Sequence, residues 1–209
     1  QFYNMADSVI VGKFVGSNAL GAVGSVGSLN FMFFSLCMGL GSGIGVLISQ
    51  YFGAGQDEYV RKIIANAVYI TIAAGMLMSL CGTILAKPIL CIMNTPQENF
   101  VDALIYMRIV CGATVVVAGY NMISSILRAL GDSKTPLIFL VAASGINIIL
   151  DLIFVIVFHM GVAGAAFATV IAQVLAMLGS IWFGMRKNPY LQLKKRHFQA
   201  DLEIFSNSL

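Results

Sequence analysis

Charged residues are the scarcest class in this sequence. Asp, Glu, Lys and Arg make up 10% of its 209 residues, whereas soluble domains average about 25%. Predominantly apolar runs long enough to cross a bilayer, about 20 residues each, occupy positions 26–49, 63–85, 100–126, 137–158 and 162–183. This pattern excludes a soluble enzyme. It predicts an all-α membrane protein, a polytopic bundle of about six transmembrane helices when a shorter apolar segment at 1–11 is included.

Residues that hold metals or act as nucleophiles are also few. The sequence has two histidines, His159 and His197, and four cysteines without the spacing of metal ligands. Three of the cysteines lie within predicted spans, where a thiol behaves as a small hydrophobic group. We therefore expect no resident metal, no cofactor and no enzymatic activity.

Basic residues are distributed unevenly between the predicted loops, and in membrane proteins this asymmetry sets the orientation. Lys13 and Lys87 fall on one side and Arg108 within a helix. Nine basic residues fall on the other side: Arg61, Lys62, Arg128, Lys134, Arg186, Lys187, Lys194, Lys195 and Arg196. The excess predicts a cytoplasmic residue 1 and tail, with Gly12 outside a plasma membrane. Anionic lipid explains the basic tail, so nucleic acid is not an expected partner.

The chain divides into two predicted segments. A transmembrane bundle occupies 1–185, and a basic cytoplasmic linker occupies 186–209. The first apolar segment is short and begins without Met, and the tail stops without a further apolar run. We therefore expect a fragment of a longer protein whose first helix is truncated.

Four glycines at alternate positions, 39 to 45, lie inside a predicted span and not in a phosphate-binding loop, which would follow a strand. They form two overlapping small-xxx-small patterns, Gly39 with Gly43 and Gly41 with Gly45. Small residues at this spacing let helix backbones approach closely in lipid. Both pairs are predicted to pack against neighbouring helices.

Asp151 is the most informative residue, because it lies in the apolar run 137–158, which contains no basic residue. A charge at the centre of a spanning helix costs about 2.5–3.5 kcal/mol on insertion scales and marks an ion or proton pathway by default. A buried carboxylate without a basic partner binds a proton readily. Asn147 lies one turn earlier on the same helix face.

The spacing of polar residues around a tight turn at 159–161 predicts their depth. The turn makes the last two spans antiparallel neighbours, so residues equidistant from Met160 lie at similar levels. Asp151 then pairs with Thr169, about 13 Å below the turn at 1.5 Å per residue. Asn147 pairs with Gln173 in the next layer.

Asp7 belongs to the same outer half of the membrane, about 8 Å below Gly12 by the same rise. Two acids at this level, with Arg108 as the one base, predict a polar cavity that suits a proton or a hard cation. For Thr169 and Gln173 taken alone, a simple hydrogen bond between helices is the alternative. Arg108 either pairs with an acid or extends outward to the interface.

Five short segments together resemble the multidrug and toxic compound extrusion (MATE) transporters. They are YNMADSVIVG at 3–12, SQYFGAG at 49–55, RALGD at 128–132, NIILD at 147–151 and GVAGAA at 161–166. They occur in order along essentially the whole chain. The resemblance implies a fold of twelve helices in two six-helix lobes, of which this chain supplies most of the N-lobe. A missing C-lobe is then a partner.

The resemblance also implies a function, which is secondary active efflux of lipophilic, cationic drugs coupled to H⁺ or Na⁺. It assigns a cation site to Asp7, Asn147, Asp151 and Thr169, with Na⁺ as the one metal ion expected there. It places further polar groups at Tyr106 and Asn121. Two alternatives stay open: a lipid-linked oligosaccharide flippase, which needs several basic residues in its cavity, and a truncated fragment without transport activity. Substrate identity and the choice of cation are not predictable from this sequence.

Overall fold

The computed structural model describes the backbone of residues 2–193 and the side chains of residues 7–27 and 29–193. Its seven α-helices are α1 (Phe2–Phe14), α2 (Ser17–Gly53), α3 (Asp57–Ile92), α4 (Gln97–Gly112), α5 (Thr114–Ala129), α6 (Lys134–Asp151) and α7 (Gly161–Lys187). A π-helical turn at Leu152–Val157 continues α6, and a 3-10 turn at Pro189–Leu191 follows α7. Every regular element in the described range is helical, which confirms the predicted all-α class.

Helix length and composition indicate a multi-pass membrane protein. Among the described residues, α2, α3, α7 and α6 with its π turn are each long and apolar enough to cross a bilayer. The pair α4 and α5 meets the same test together, although the two helices meet at a bend of 44°. At 13 residues, α1 is shorter than a full span.

Three helix boundaries differ from the prediction. The span predicted as continuous at 100–126 is broken at Ala113 into α4 and α5. Lys87, which was assigned to a loop, lies inside α3 and is exposed there, because the apolar residues that follow it extend the helix to Ile92. In the same way α2 begins at Ser17, so only Val15 and Gly16 separate it from α1.

The described turns gather at two ends of the bundle. We call the end formed by residues 15–16, 93–96 and 158–160 the Gly16 end, and the end formed by residues 54–56, 130–133 and 188–193 the Gly55 end. The predicted tight turn is confirmed, with His159 (φ 53°) and Gly161 (φ 58°) in the left-handed region. The predicted segment 186–209 falls partly outside the described residues. Within them, α7 continues to Lys187 and Leu191 is buried.

Each half of the bundle has its own apolar core. Toward the Gly16 end, Val11, Val26, Met107 and Val162 belong to one cluster. Toward the Gly55 end, another cluster includes Ile44, Ile63, Leu127 and Leu191. The helices α2 and α5 pack along one another, as do α6 and α7. A third, smaller cluster includes Tyr120 and Ala143.

The glycine prediction is half right. A methyl group at Gly41 would lie 3.0 Å from Ser125 Oγ, and one at Gly45 would lie 3.5 Å from Ser125 Cβ, so both glycines pack closely on α5. The prediction is wrong for Gly39 and Gly43, beside which an added methyl group would have nothing within 4 Å. Residues two apart point to different sides of a helix, so only one pair faces α5.

Candidate cation site and neighbouring cavity

Three helices bring the predicted cation-site residues together. Asp7 comes from the middle of α1, Asn147 and Asp151 from the last turns of α6, and Thr169 from the third turn of α7. Asn147 and Asp151 share one face of α6, as the four-residue spacing predicts. Asp7, Asn147 and Asp151 are each at most 1% exposed. The helix order along the chain places all four residues in the half of the bundle nearer the Gly16 end.

The Thr169 hydroxyl is the link between the three helices. It donates to Asp7 Oδ2 at 2.9 Å and accepts from Asn147 Nδ2 at 3.4 Å. The carbonyl oxygen of Ala165 lies 3.1 Å from the same hydroxyl and is an alternative acceptor. Because a hydroxyl has one proton to give, it bonds to Asp7 or to Ala165 at any moment. The Asp7 carboxyl group and the Ala165 carbonyl therefore compete for this proton.

The Asp151 carboxyl group lies beside that of Asp7. Neither Asp151 oxygen has a hydrogen-bond donor among the described residues, and the same holds for Asp7 Oδ1 and Asn147 Oδ1. The four side chains of the site include two acids and no base. Two adjacent buried carboxylates cannot both ionise without repulsion, so a proton or a cation between them is favourable. Buried oxygens of this kind fit a hard cation such as Na⁺.

The π turn after Asp151 alters the predicted depth pairing. It contains wider hydrogen bonds, among them Phe158 N–H to Ile153 O at 3.0 Å. A π turn takes up more residues per turn than an α-helix, so Asn147 lies closer to the 158–160 turn than even spacing gives. In the structure, the α6 side chain that donates to Thr169 is Asn147. A cavity of about 10 Å³ also adjoins both Asn147 and Gln173, about the volume of one water probe.

A larger cavity of about 280 Å³ borders the site. Thr169 belongs both to this cavity and to the hydrogen-bonded link, and Ser8 lines the cavity directly after Asp7 in α1. The remaining wall is mixed aromatic and polar, and its residues include Phe31, Phe33, Phe34, Asn30, Tyr106 and Gln173. Aromatic rings and amide groups therefore line a cavity that is separated from the acid pair by a single side chain, that of Thr169.

The other predicted polar residues lie in different places. Tyr106 is buried and lines the larger cavity. Asn121 is buried in α5, where its amide donates to the Val117 carbonyl oxygen of the same helix at 2.9 Å. Arg108 is exposed on α4, which matches the outward extension weighed for it. Neither Asn121 nor Arg108 is among the residues that line the two described cavities.

Sequence reasoning missed the contribution of α2 to the cavity. Asn30 is an isolated amide in the apolar run 26–49, and the same rule that singled out Asn147 applies to it. The three phenylalanines of the wall gave no such signal, because an apolar aromatic residue in a spanning helix is equally compatible with a lipid-facing position.

Comparisons with known proteins now bear on this arrangement. The MatE family profile matches residues 1–153. The chain belongs to the MatE family. It is 32% identical over 185 residues to the probable multidrug resistance protein YpnP of Bacillus subtilis, covering 87% of this chain and 41% of YpnP. It is 26% identical over 208 residues to the multidrug export protein MepA of Staphylococcus aureus, covering 98% of this chain and 45% of MepA.

A solved MATE structure has the same fold. An inward-facing multidrug resistance MATE family transporter of the MOP superfamily superposes with a TM-score of 0.92 at 27% identity, covering 99% of this chain and 47% of that protein. The chain thus spans about half the length of the MATE proteins it matches. The predicted fold class, a lobe of a MATE-type transporter, is confirmed.

Proposed function

We propose that this chain is one lobe of a cation-coupled multidrug efflux transporter in the plasma membrane. The main support for this proposal is the position of Thr169, whose hydroxyl donates to Asp7 at 2.9 Å and whose side chain also lines the 280 Å³ cavity. Membership of the MatE family and relatives named for multidrug resistance and export support this function. Those relatives are transporters and not enzymes.

The coupling is a competition between drug and ion. When Asp7 and Asp151 are ionised, their negative charge favours a lipophilic cation in the adjacent cavity, whose phenylalanine faces attract such a cation. When H⁺ or Na⁺ occupies the carboxylates, that attraction is lost and the drug leaves. A ligand shifts an equilibrium between two states only by the difference between its affinities for them. Here the two states are the ionised and the cation-occupied acid pair, and Thr169 and Ser8 connect that pair to the cavity where the drug binds.

The full-length transporter in proteoliposomes tests this proposal. Ethidium transport is measured while a proton gradient and a sodium gradient are imposed separately. Transport that accelerates with one gradient identifies the coupling ion. Transport that responds to neither gradient would remove the antiport mechanism. Transport by the full-length protein but not by residues 1–209 alone would favour the alternative that this chain is a truncated fragment without transport activity.

The flippase alternative has weaker support. A pyrophosphate-linked oligosaccharide needs several basic groups in its cavity, whereas the residues that line the described 280 Å³ cavity are apolar, aromatic or uncharged polar. Arg108, the basic residue nearest in sequence to the residues that line this cavity, is exposed on α4.

We also propose that the Gly55 end faces the cytoplasm. Six of the described basic residues lie at or near this end, namely Arg61, Lys62, Arg128, Lys134, Arg186 and Lys187, whereas Lys13 and Lys87 lie toward the Gly16 end. In intact cells, and with the native cysteines replaced by Ala, a membrane-impermeant thiol reagent should label Lys13→Cys and spare Lys134→Cys. The reverse labelling would invert the orientation.

A further inference from the structure

The bend between α4 and α5 lies beside the cavity and is supported from the opposite side by α3. Tyr106 and Val110 of α4 and Thr114 and Val117 of α5 all line the 280 Å³ cavity. The break at Ala113 falls between them, so the angle of 44° between the two helices sets the shape of this wall.

The break releases a backbone carbonyl inside the membrane-spanning region. The Val116 N–H donates to the Ala113 carbonyl oxygen at 2.9 Å. In an unbroken α-helix it would donate to Gly112 instead. In hydrocarbon, an unsatisfied backbone group costs several kcal/mol, so broken spanning helices persist where neighbours provide replacement hydrogen bonds.

Ser79 of α3 provides that replacement. Its hydroxyl donates to the Gly112 carbonyl oxygen at 2.8 Å. Elsewhere in the described bundle, Ser25, Ser35, Ser49 and Ser144 each donate to the carbonyl four residues earlier in their own helix. Ser79 differs because its bond joins two helices, and it does so at the residue where α4 ends.

Two glycines of α3 pack closely against the helices on either side of the break. A methyl group at Gly82 would lie 2.9 Å from Cys111 Cβ in α4, and one at Gly75 would lie 2.9 Å from Val115 Cα in α5. Gly75, Ser79 and Gly82 are four and three residues apart and share one helix face. This face of α3 therefore contacts the end of α4, the break itself and the start of α5.

We propose that Ser79 is a positioning residue that holds the α4–α5 bend and thereby fixes the width of the cavity. The assignment of the cavity to drug binding rests on the proposed function, whereas the effect of Ser79 on the bend does not. Ser79 acts through the backbone of Gly112 and without touching the drug.

The bend is tested by a distance measurement on the full-length protein. Spin labels are attached through unnatural amino acids at Val101 and Arg128, two exposed positions on α4 and α5, so that the native cysteines remain. Ser79→Ala should shift or broaden the distance distribution between the labels. Ser79→Thr, which keeps the hydroxyl, should match the wild type. An unchanged distribution in Ser79→Ala would overturn the proposal.

Ser49→Ala is the matched control, since its hydroxyl bonds to the Gly45 carbonyl within its own helix; it should leave the distribution unchanged. If Ser79→Ala does not fold, Ser79→Cys gives a second approach. Its thiol is only a weak hydrogen-bond donor, so this variant should also shift or broaden the distance distribution. A wild-type distribution in Ser79→Cys would count against the proposal.

The effect on the cavity is tested by binding of tetraphenylphosphonium to the purified full-length protein. Ser79→Ala should weaken binding about tenfold, which lies within the range by which residues that do not touch a ligand change its affinity. Ser79→Thr should restore binding to within about twofold of the wild type. Unchanged binding in Ser79→Ala would refute control of the cavity by Ser79. Absence of binding in the wild type would refute the cavity as a site for this cation, and the distance measurement would still decide the role of Ser79 in the bend.

Discussion

Aspartates near the two ends of the bundle have opposite surroundings. Toward the Gly55 end, Asp132 accepts hydrogen bonds from the backbone and hydroxyl of Thr135 and lies 3.0 Å from Lys187 Nζ. In the half nearer the Gly16 end, Asp7 and Asp151 are fully buried beside one another in a site that contains no base. The charge of Asp132 is therefore fixed by its partners. Under the proposed function, the charge of the acid pair depends instead on what binds to it.

The consequence for Asp132 is structural. Partial burial opposes its ionisation, but the hydrogen bonds from Thr135 and Lys187 and the positive charge of Lys187 outweigh burial and lower its pKa below the ordinary value of 3.8. Asp132 also lies just before α6, where a carboxylate that accepts from the first turn stabilises the helix. It joins α6 to α7 at the Gly55 end and takes no part in the cavity.

Replacement of Asp151 by Asn should have the largest effect on transport. Asn has the same shape but cannot ionise, so the competition between drug and cation is lost. We expect ethidium efflux by the full-length protein to fall to background while expression stays normal. Asp132→Asn is the control and should retain efflux. Full efflux in Asp151→Asn would contradict the role of the acid pair.

Thr169→Val should have the next largest effect. The change keeps the shape of the side chain but removes the hydroxyl that links Asn147 to Asp7. A buried hydrogen bond left unmade costs roughly 1–3 kcal/mol, so we expect efflux to fall about tenfold or more. Thr169→Ser retains the hydroxyl and should restore most of the rate. Equal rates for the Val and Ser variants would show that the hydroxyl has no part in coupling.

Asp132→Asn should lower stability with little change in transport. At pH 7 the variant loses the negative charge beside the first turn of α6 and an ion pair, for a cost of about 1 kcal/mol. Because folding lowers the pKa of Asp132, its contribution is fully present above pH 3.8 and disappears as the pH falls through the lowered value. Melting temperatures in detergent at pH 7 and in acid measure this difference. A gap that persists in strong acid would contradict the ionic contribution.

Tyr190→Phe should have the smallest effect. The Tyr190 hydroxyl donates to Asp57 Oδ1 at 2.8 Å, and this bond is the main cause of its pKa lying above the ordinary value of 10.0. A group whose pKa rises on folding stabilises the protein below its ordinary pKa, and that contribution is lost as the pH rises through the raised value. The variant should melt slightly below the wild type at pH 8, and the two should converge at alkaline pH. Equal melting at pH 8 would show that this surface bond adds nothing.

The residues of the acid site were predictable because their chemistry is unusual for their location. An Asp in an apolar run, an Asn one turn earlier and a tight turn at 159–161 identify a polar patch without knowledge of packing. The basic residues similarly divide the turns into two sets. These features depend on composition and spacing, both of which are present in the sequence.

The bend and the cavity were not predictable, because they depend on how neighbouring helices pack. The break at Ala113 follows a single glycine, Gly112, which is also common inside unbroken membrane helices. The break is stabilised by Ser79, which is 33 residues away in α3. Lys87 was placed in a loop because a charge suggests a span end, yet an exposed Lys near the end of a helix can extend to the interface.

The π turn at Leu152–Val157 is equivalent to one residue inserted into a regular helix. It lies between Asp151, whose direction matters for the site, and the 158–160 turn, whose position matters for the hairpin. An α-helix would link these two requirements rigidly, because each residue added or removed rotates all later ones by about 100°. The wider turn allows the direction of Asp151 and the position of the 158–160 turn to be set independently. The acid can face Asp7 while the chain still reverses where α7 packs against α6.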